Sequence, residues 1–260
     1  MRVTVLLENT AARPDLACEH GLSLYVEACG KRILFDAGQT GAFADNAARM
    51  GVDLKAVDLA VLSHGHYDHG GGLARFLQEN DRAPVYIRPD AFEPHWHGPE
   101  KDIGVSPALL GSGRVVLTED EHSIGDGLSL CSCNALPMAF APSFGGLHVK
   151  RGGTLAPDDF RHEQYLCIRE GGRLIVISGC SHKGAMNIMA WLRPDVFIGG
   201  FHFVKLDPAG DALSAAAKGL AGYPCRYYTG HCTGEAQFAA LRAVLGDRIR
   251  YLSTGSSFDI

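Results

Sequence analysis

The densest chemistry in this 260-residue chain lies at 63–72, where His64, His66, Asp68 and His69 fall within six residues and Gly70, Gly71 and Gly72 follow at once. The apolar run at 59–62 precedes them, so a strand empties into a cluster of ligand side chains. Residues two apart on an extended segment project to one side, so His64 and His66 can offer their imidazoles to a single ion. Asp68 and His69 come after the chain has begun to turn and are aimed at a neighbouring point. That layout suits two cations about 3.5–4 Å apart, the spacing that activates a water and holds the oxygens of a substrate. As caps of a following helix, these side chains would crowd together against repulsion and desolvation, which a cation relieves.

His-Gly-His-Tyr-Asp-His at 64–69, after a hydrophobic strand and before glycines, resembles the His-x-His-x-Asp-His signature of the metallo-β-lactamase superfamily. The resemblance implies an α/β fold: a four-layer αββα sandwich, two mixed sheets packed face to face with helices outside. It also implies a binuclear site for two divalent cations, zinc first, with iron and manganese as alternatives. In that family Asp36 has a structural role and a later Gly-Asp turn supplies a bridging carboxylate. Here Ser178-Gly179-Cys180 occupies that place, so Cys180 stands where the aspartate is expected, and whether it takes over as the bridging ligand is left open. A thiolate ligates zinc at roughly 2.3 Å and is softer than a carboxylate.

Another family ligand is a histidine ahead of that turn. His162, its neighbour Glu163 and His182 remain open for the role, with His182 leading because it shares a strand-end loop with Cys180. His231, following a strand and preceded by Gly230, matches the last expected histidine. His202, after Gly199-Gly200-Phe201, is open as ligand, general acid or substrate contact. Gly-Cys-Ser-His-Lys-Gly-Ala-Met-Asn-Ile at 179–188, Gly-Gly-Phe-His at 199–202 and Gly-His-Cys-Thr-Gly at 230–234 together resemble one metal-dependent-hydrolase branch. That branch includes proteins associated with a ribofuranosyl-aminobenzene-phosphate dihydropterin synthase of methanopterin biosynthesis.

These side chains need elements to position them. Periodicity and turn residues predict strands at 2–7, 22–28, 31–39 (running into a turn), 58–63 and 84–87, with helices at 42–50 and 73–78. Further strands are expected at 115–117, 128–131, 162–169 and 173–178, then a helix at 185–192. A strand at 196–198, a helix at 212–220, a strand at 226–229, a helix at 235–245 and a strand at 250–252 close the chain. The second βα-βα-β series mirrors the first, as a two-fold sandwich should. Residues 1–260 read as one domain, with a loop-rich segment at about 88–160 covering the site.

Within that segment His95-Trp96-His97 repeats the i, i+2 spacing without a carboxylate cluster. It reads as a surface or pocket loop in preference to a second metal site, with Trp96 lining the substrate pocket. The glycine-rich, basic stretch 142–153, with His148, Lys150 and Arg151, is a candidate cover for an anionic substrate, a solvated hairpin being the alternative. His20 lies in a loop at 9–21 that either reaches the site or is a solvated turn. Lys183 joins Lys150 and Arg151 as a candidate phosphate contact.

Composition sets the outer limits. Hydrophobic residues at 46% and charged residues at 20% are those of a globular protein with a sizeable core. A net charge of −5 gives no basic footprint for nucleic acid and argues against the nuclease branches. The expected partner is a small molecule, anionic or phosphorylated. No run of 18 apolar residues predicts a membrane span, and the start has no long signal-like apolar region, so a cytoplasmic location is expected. The eight cysteines form no short-chain disulfide framework and read mostly as buried thiols. Oligomeric state is not encoded in any pattern found.

The expected function is a metal-dependent hydrolase acting on a small ester, lactone, thioester or phosphoester. Asp68 would orient or deprotonate the attacking water, and His202 or His182 would protonate the leaving group. Two rivals are a pterin-directed transferase or synthase using a phosphorylated ribosyl partner, and a ligand sensor that keeps the fold without turnover, with Cys180 as its mark.

Overall fold

The computed structural model describes residues 1–141 and 145–260. Two seven-stranded sheets face each other. The first runs β18 (Ser257–Asp259), β1 (Arg2–Leu7), β2 (Ser23–Ala28), β3 (Lys31–Phe35), β4 (Leu59–Val61), β5 (Val85–Ile87) and β8 (Val115–Leu117). The second runs β17 (Ile249–Tyr251), β16 (Arg226–Thr229), β15 (Val196–Ile198), β14 (Arg173–Ile177), β13 (Tyr165–Glu170), β10 (Leu128–Cys131) and β9 (Glu121–Gly125). Pairing is antiparallel from β18 to β3 and parallel from β3 to β8. The second sheet repeats this, antiparallel from β9 to β14 and parallel from β14 to β17.

Period-two alternation explains the layers. Val3, Val5, Leu24, Val26, Ile33 and Phe35 of the first sheet meet Leu128, Leu130, Leu166, Ile168, Ile175 and Ile177 of the second in one core. The intervening residues Leu6, Tyr25 and Leu34 face outward and are covered with Phe43, Ala47 and Phe76 from helices α1 (Ala42–Met50) and α3 (Leu73–Glu79). On the other side Val176, Phe197 and Tyr227 pack against α4 (Ala185–Leu192), α5 (Asp211–Ala221) and α6 (Glu235–Leu245). The result is the αββα sandwich expected from the sequence. Helix α1 stops at Gly51, which takes the left-handed conformation at φ 73° and returns its N–H to the last carbonyls.

A third, four-stranded sheet was not expected. It consists of β12 (Thr154–Pro157), β11 (Leu147–Arg151), β6 (His95–His97) and β7 (Lys101–Asp102), all antiparallel. Its strands have two to five residues, and Leu147 pairs with His97 across a long connection, so local periodicity could not reveal it. Strand β9 and the terminal β18 also escaped the pattern reading for want of length or apolar character. Of the proposed cover at 142–153, residues 142–144 lie outside the described residues, and the remainder enters β11. Among the described residues no helix is long and apolar enough to cross a membrane.

Candidate metal centre

Strands β3, β4, β14, β15 and β16 end at one rim, where loops after parallel strands build sites in open α/β sheets. His64 and His66 follow β4, and Asp68 and His69 lie in a single helical turn, α2 (Tyr67–Gly70). Cys180 and His182 follow β14, His202 follows β15, and His231 follows β16. Asp36, Ser181, His202 and His231 have φ between 50° and 58°. Non-glycine residues held left-handed are strained, and such strain gathers where neighbouring structure fixes a functional conformation.

Among the described residues buried donors fall into three groups: His64, His66 and His182 form one, Asp68, His69, Cys180 and His231 a second, and His66, His95, Asp158 and His162 a third that shares His66 with the first. The first two adjoin, since the rings of His64 and His69 have centroids 4.2 Å apart. In the first, Nε2 of His182 is 3.3 Å from Nε2 of His64, while Nε2 of His66 is buried without a hydrogen-bond partner. In the second, Nε2 of His69 lies 3.2 Å from both Nε2 of His231 and Sγ of Cys180, and Oδ2 of Asp68 is 3.3 Å from Nε2 of His231.

Surrounding groups decide which nitrogens face inward. The Ser63 hydroxyl donates to Oδ2 of Asp36 at 2.7 Å and therefore accepts at 2.8 Å from Nδ1–H of His64, leaving the His64 Nε2 lone pair for the cluster. The same Asp36 oxygen accepts from Nδ1–H of His69 at 2.6 Å. Oδ1 of Asn9 accepts from Nδ1–H of His231 at 2.8 Å. Partners that lock the outer nitrogen while the inner one converges are characteristic of metal-ligating histidines. An unpartnered buried nitrogen amid converging imidazole, carboxylate and thiol donors is what a divalent cation fits.

Charge separates the groups. Burial, followed by neighbouring imidazoles, drives His64, His66 and His182 well below the ordinary histidine value, so they are neutral near pH 7. For His69 burial acts in the same direction, but the carboxylates of Asp36 and Asp68 outweigh it and hold the ring up to about 9. Burial would raise Asp68, yet His69, His20 and His231 keep it well below the carboxylate range. Burial and the adjoining Cys232 push the Cys180 thiol well above its usual value.

The candidates for the remaining ligand are placed differently: His182 groups with His64 and His66, and His162 groups with His66, His95 and Asp158. Nδ1 of His162 accepts the Gly65 N–H at 2.9 Å, and its Nε2 lies 3.3 Å from Oδ2 of Asp158. Glu163 is fully engaged in shaping the 180–183 turn: it accepts from the N–H groups of His182 at 2.7 Å and Lys183 at 3.0 Å and from the Tyr165 hydroxyl at 2.8 Å. His182 is brought to the imidazole cluster. His202 lines the adjoining cavity, and burial, then Lys205, lowers it to about 4.

That cavity, about 200 Å³, is bordered by His20, Tyr67, His97, Lys101 and Lys205 above the donor groups. His20 reaches it from its exposed loop, with Nε2 3.2 Å from Oδ2 of Asp68. Other expected contacts need correcting. Lys183 is buried, its ammonium donating to Ser132 O and Asn134 Oδ1 at 2.6 Å each. Arg151 is paired with Glu93 and Asp159, and Lys150 lies over the Trp96 ring. Trp96 and His148 oppose each other in the third sheet but do not border the cavity; their strand neighbours His97 and Leu147 do. Alternation by one residue turned the wrong pair toward the site.

His95 is fully buried rather than at the surface, with Nδ1 2.8 Å from Oδ2 of Asp158 and its ring 4.0 Å from that of His162, and it joins His66, Asp158 and His162 in a donor group that could hold a cation. Asn9, Ser63 and Asp158 were missed in the sequence. Ser63 adjoins the histidine motif and had a local signal, whereas Asn9 meets His231 and Asp158 meets His95 from far away in the chain, although Asp158 also has His162 four residues on.

The fold and its donor-rich rim define a protein class with independent support: a profile of the metallo-β-lactamase superfamily matches residues 17–193, and the chain belongs to that superfamily. It is 30% identical over 212 residues to the uncharacterised protein MJ0448 of Methanocaldococcus jannaschii, covering 78% of this chain and 79% of the relative. It is 28% identical over 252 residues to the 7,8-dihydropterin-6-methyl-4-(beta-D-ribofuranosyl)-aminobenzene-5'-phosphate synthase of the same organism, covering 83% and 81%. The crystal structure of Tm1679, a metal-dependent hydrolase of the beta-lactamase superfamily, superposes with a TM-score of 0.83 at 27% identity, covering 100% of this chain and 99% of that one.

Proposed function

We propose that this protein is a metal-dependent hydrolase with a binuclear centre, acting on a small anionic ester, lactone, thioester or phosphoester. The observation that carries the reading is the convergence of buried, outwardly locked imidazoles, with Nε2 of His66 unpartnered and Nε2 of His69 and His231 only 3.2 Å apart. His64, His66 and His182 would hold one cation; Asp68, His69, Cys180 and His231 would hold the other. When bound, such cations supply an activated water and an electrophile for the developing oxyanion; zinc suits imidazole and thiolate donors, with iron and manganese as alternatives.

The chain's own groups do the rest. Asp68, held ionised, orients the water and takes its proton. His182 is drawn toward His64 and is better placed as a ligand than as an acid. His202, neutral near pH 7 because burial lowers it to about 4, offers a ring N–H to the leaving group. Lys101 and Lys205 at the cavity rim attract an anionic substrate. The test is metal analysis of protein purified without chelator, alongside His66→Ala and Asp68→Ala. We expect bound divalent metal and loss of hydrolysis in both variants; full activity in metal-free wild type would refute the reading.

The 28% identity to the pterin-related synthase supports a second reading, a transferase or synthase on the same centre. Titration with a pterin and a ribose phosphate separates the two, since absence of binding removes the second. A non-catalytic sensor is excluded by sustained multiple turnover on any substrate.

A further inference from the structure

Beside the metal-facing cavity lies another of about 360 Å³, walled by Phe140, Phe201 and Phe203 and by Ala212, Ala216 and Gly219 of α5. His182 and His202 border both cavities, and their ring centroids are 4.6 Å apart. We propose that this second cavity binds an apolar group of the substrate, an acyl chain or flat ring attached to the bond cleaved at the metal centre. This deepens the hydrolase reading and rests on it.

The wall is built rather than incidental. The buried Asn187 side chain accepts from the Phe140 N–H at 2.9 Å and donates to the Phe140 carbonyl at 2.7 Å, fixing that segment on α4. Trp191 adds a hydrogen bond to the Pro137 carbonyl at 3.0 Å. Phe140, which lines the cavity, nevertheless remains 44% exposed. Small residues on α5 provide depth: a Cβ at Gly219 would sit 2.7 Å from Cε of Met186.

The shared boundary carries an unpartnered polar atom. His182 is 3% exposed, and its Nδ1 has no hydrogen-bond partner. Were Nε2 of His182 to ligate a cation, Nδ1 would carry the hydrogen and lack an acceptor. A ligand whose polar junction lies at this boundary, with its apolar part in the cavity, satisfies that donor. The volume falls within the range of small-molecule pockets.

Calorimetry tests this with acetate, butanoate, hexanoate and octanoate as a chain series and benzoate and 2-naphthoate as a ring series. Each is titrated into zinc-loaded and chelator-treated protein, using wild type, Ala216→Phe and Ala212→Phe. We expect affinity to rise about fourfold per methylene entering the cavity, with or without zinc. Both substitutions should abolish that rise while leaving acetate binding unchanged. A rise in only one series identifies the apolar group as chain or ring. No rise in either series, or a rise untouched by both phenylalanine variants, overturns the proposal. Zinc that adds nothing to acetate affinity, with the chain-length rise intact, would count against the hydrolase reading and leave the cavity assignment standing.

Discussion

The two donor groups differ in what they hold before any cation arrives. His64, His66 and His182 are neutral because burial and mutual repulsion expel their protons, so a cation meets bare nitrogens. In the second group His69 retains a proton up to about 9 and Cys180 keeps its thiol hydrogen, so a cation there must displace protons. On the proposed reading, the first group would take a metal at neutral pH without losing protons, and the second would release protons for it. Asp36 links them, gripping His69 directly and His64 through Ser63.

That link predicts the largest effect. Asp36→Ala takes from the buried His69 the nearer of its two carboxylates and should cost about 3–5 kcal/mol in urea unfolding, with both cations lost on metal analysis. Cys180→Ser should break the comparison on one side only: metal content falls toward a single cation, and His64, His66 and His182 keep theirs. Asn9→Ala frees Nδ1 of His231 and should weaken the second group by about 10–100-fold, read by competition with a fluorescent chelator. An equal loss at the first group would show that the two are not separable.

The smallest expected effect is on pH. His69 rises from 6.5 to about 9 on folding, so its contribution to metal-free stability is complete below 6.5 and is lost as pH rises through 9. Below that folded value its proton competes with the cation. Lowering pH from 8 to 7 should therefore weaken the second group about tenfold for that proton and leave the first unchanged. Titrations in buffers of different ionisation enthalpy would show proton release from the second group alone.

The sequence exposed the parts of this arrangement that are local. His64, His66, Asp68 and His69 fall within six residues at a strand end, so spacing suggested grouping them, while Cys180 and His182 in their shared turn were singled out by the family resemblance. The strands β1 to β3 and β13 to β14 were legible as short apolar runs bounded by turn residues, whereas the αββα layering was what the family resemblance implied. What was hidden depends on distant pairing: Asn9 with His231, Asp158 with His95, and β6 with β11. Lys183 was misjudged because its acceptors at 132 and 134 lie far from it in sequence. Trp96 and His148 were misjudged because an unseen strand register decides which neighbours face the cavity.

Crystals grown with zinc and measured on both sides of its absorption edge put the two-group account at most direct risk. It predicts two anomalous peaks, one among His64, His66 and His182 and the other among Asp68, His69, Cys180 and His231. No peak at either place, or a peak instead among His95, Asp158 and His162, would contradict it.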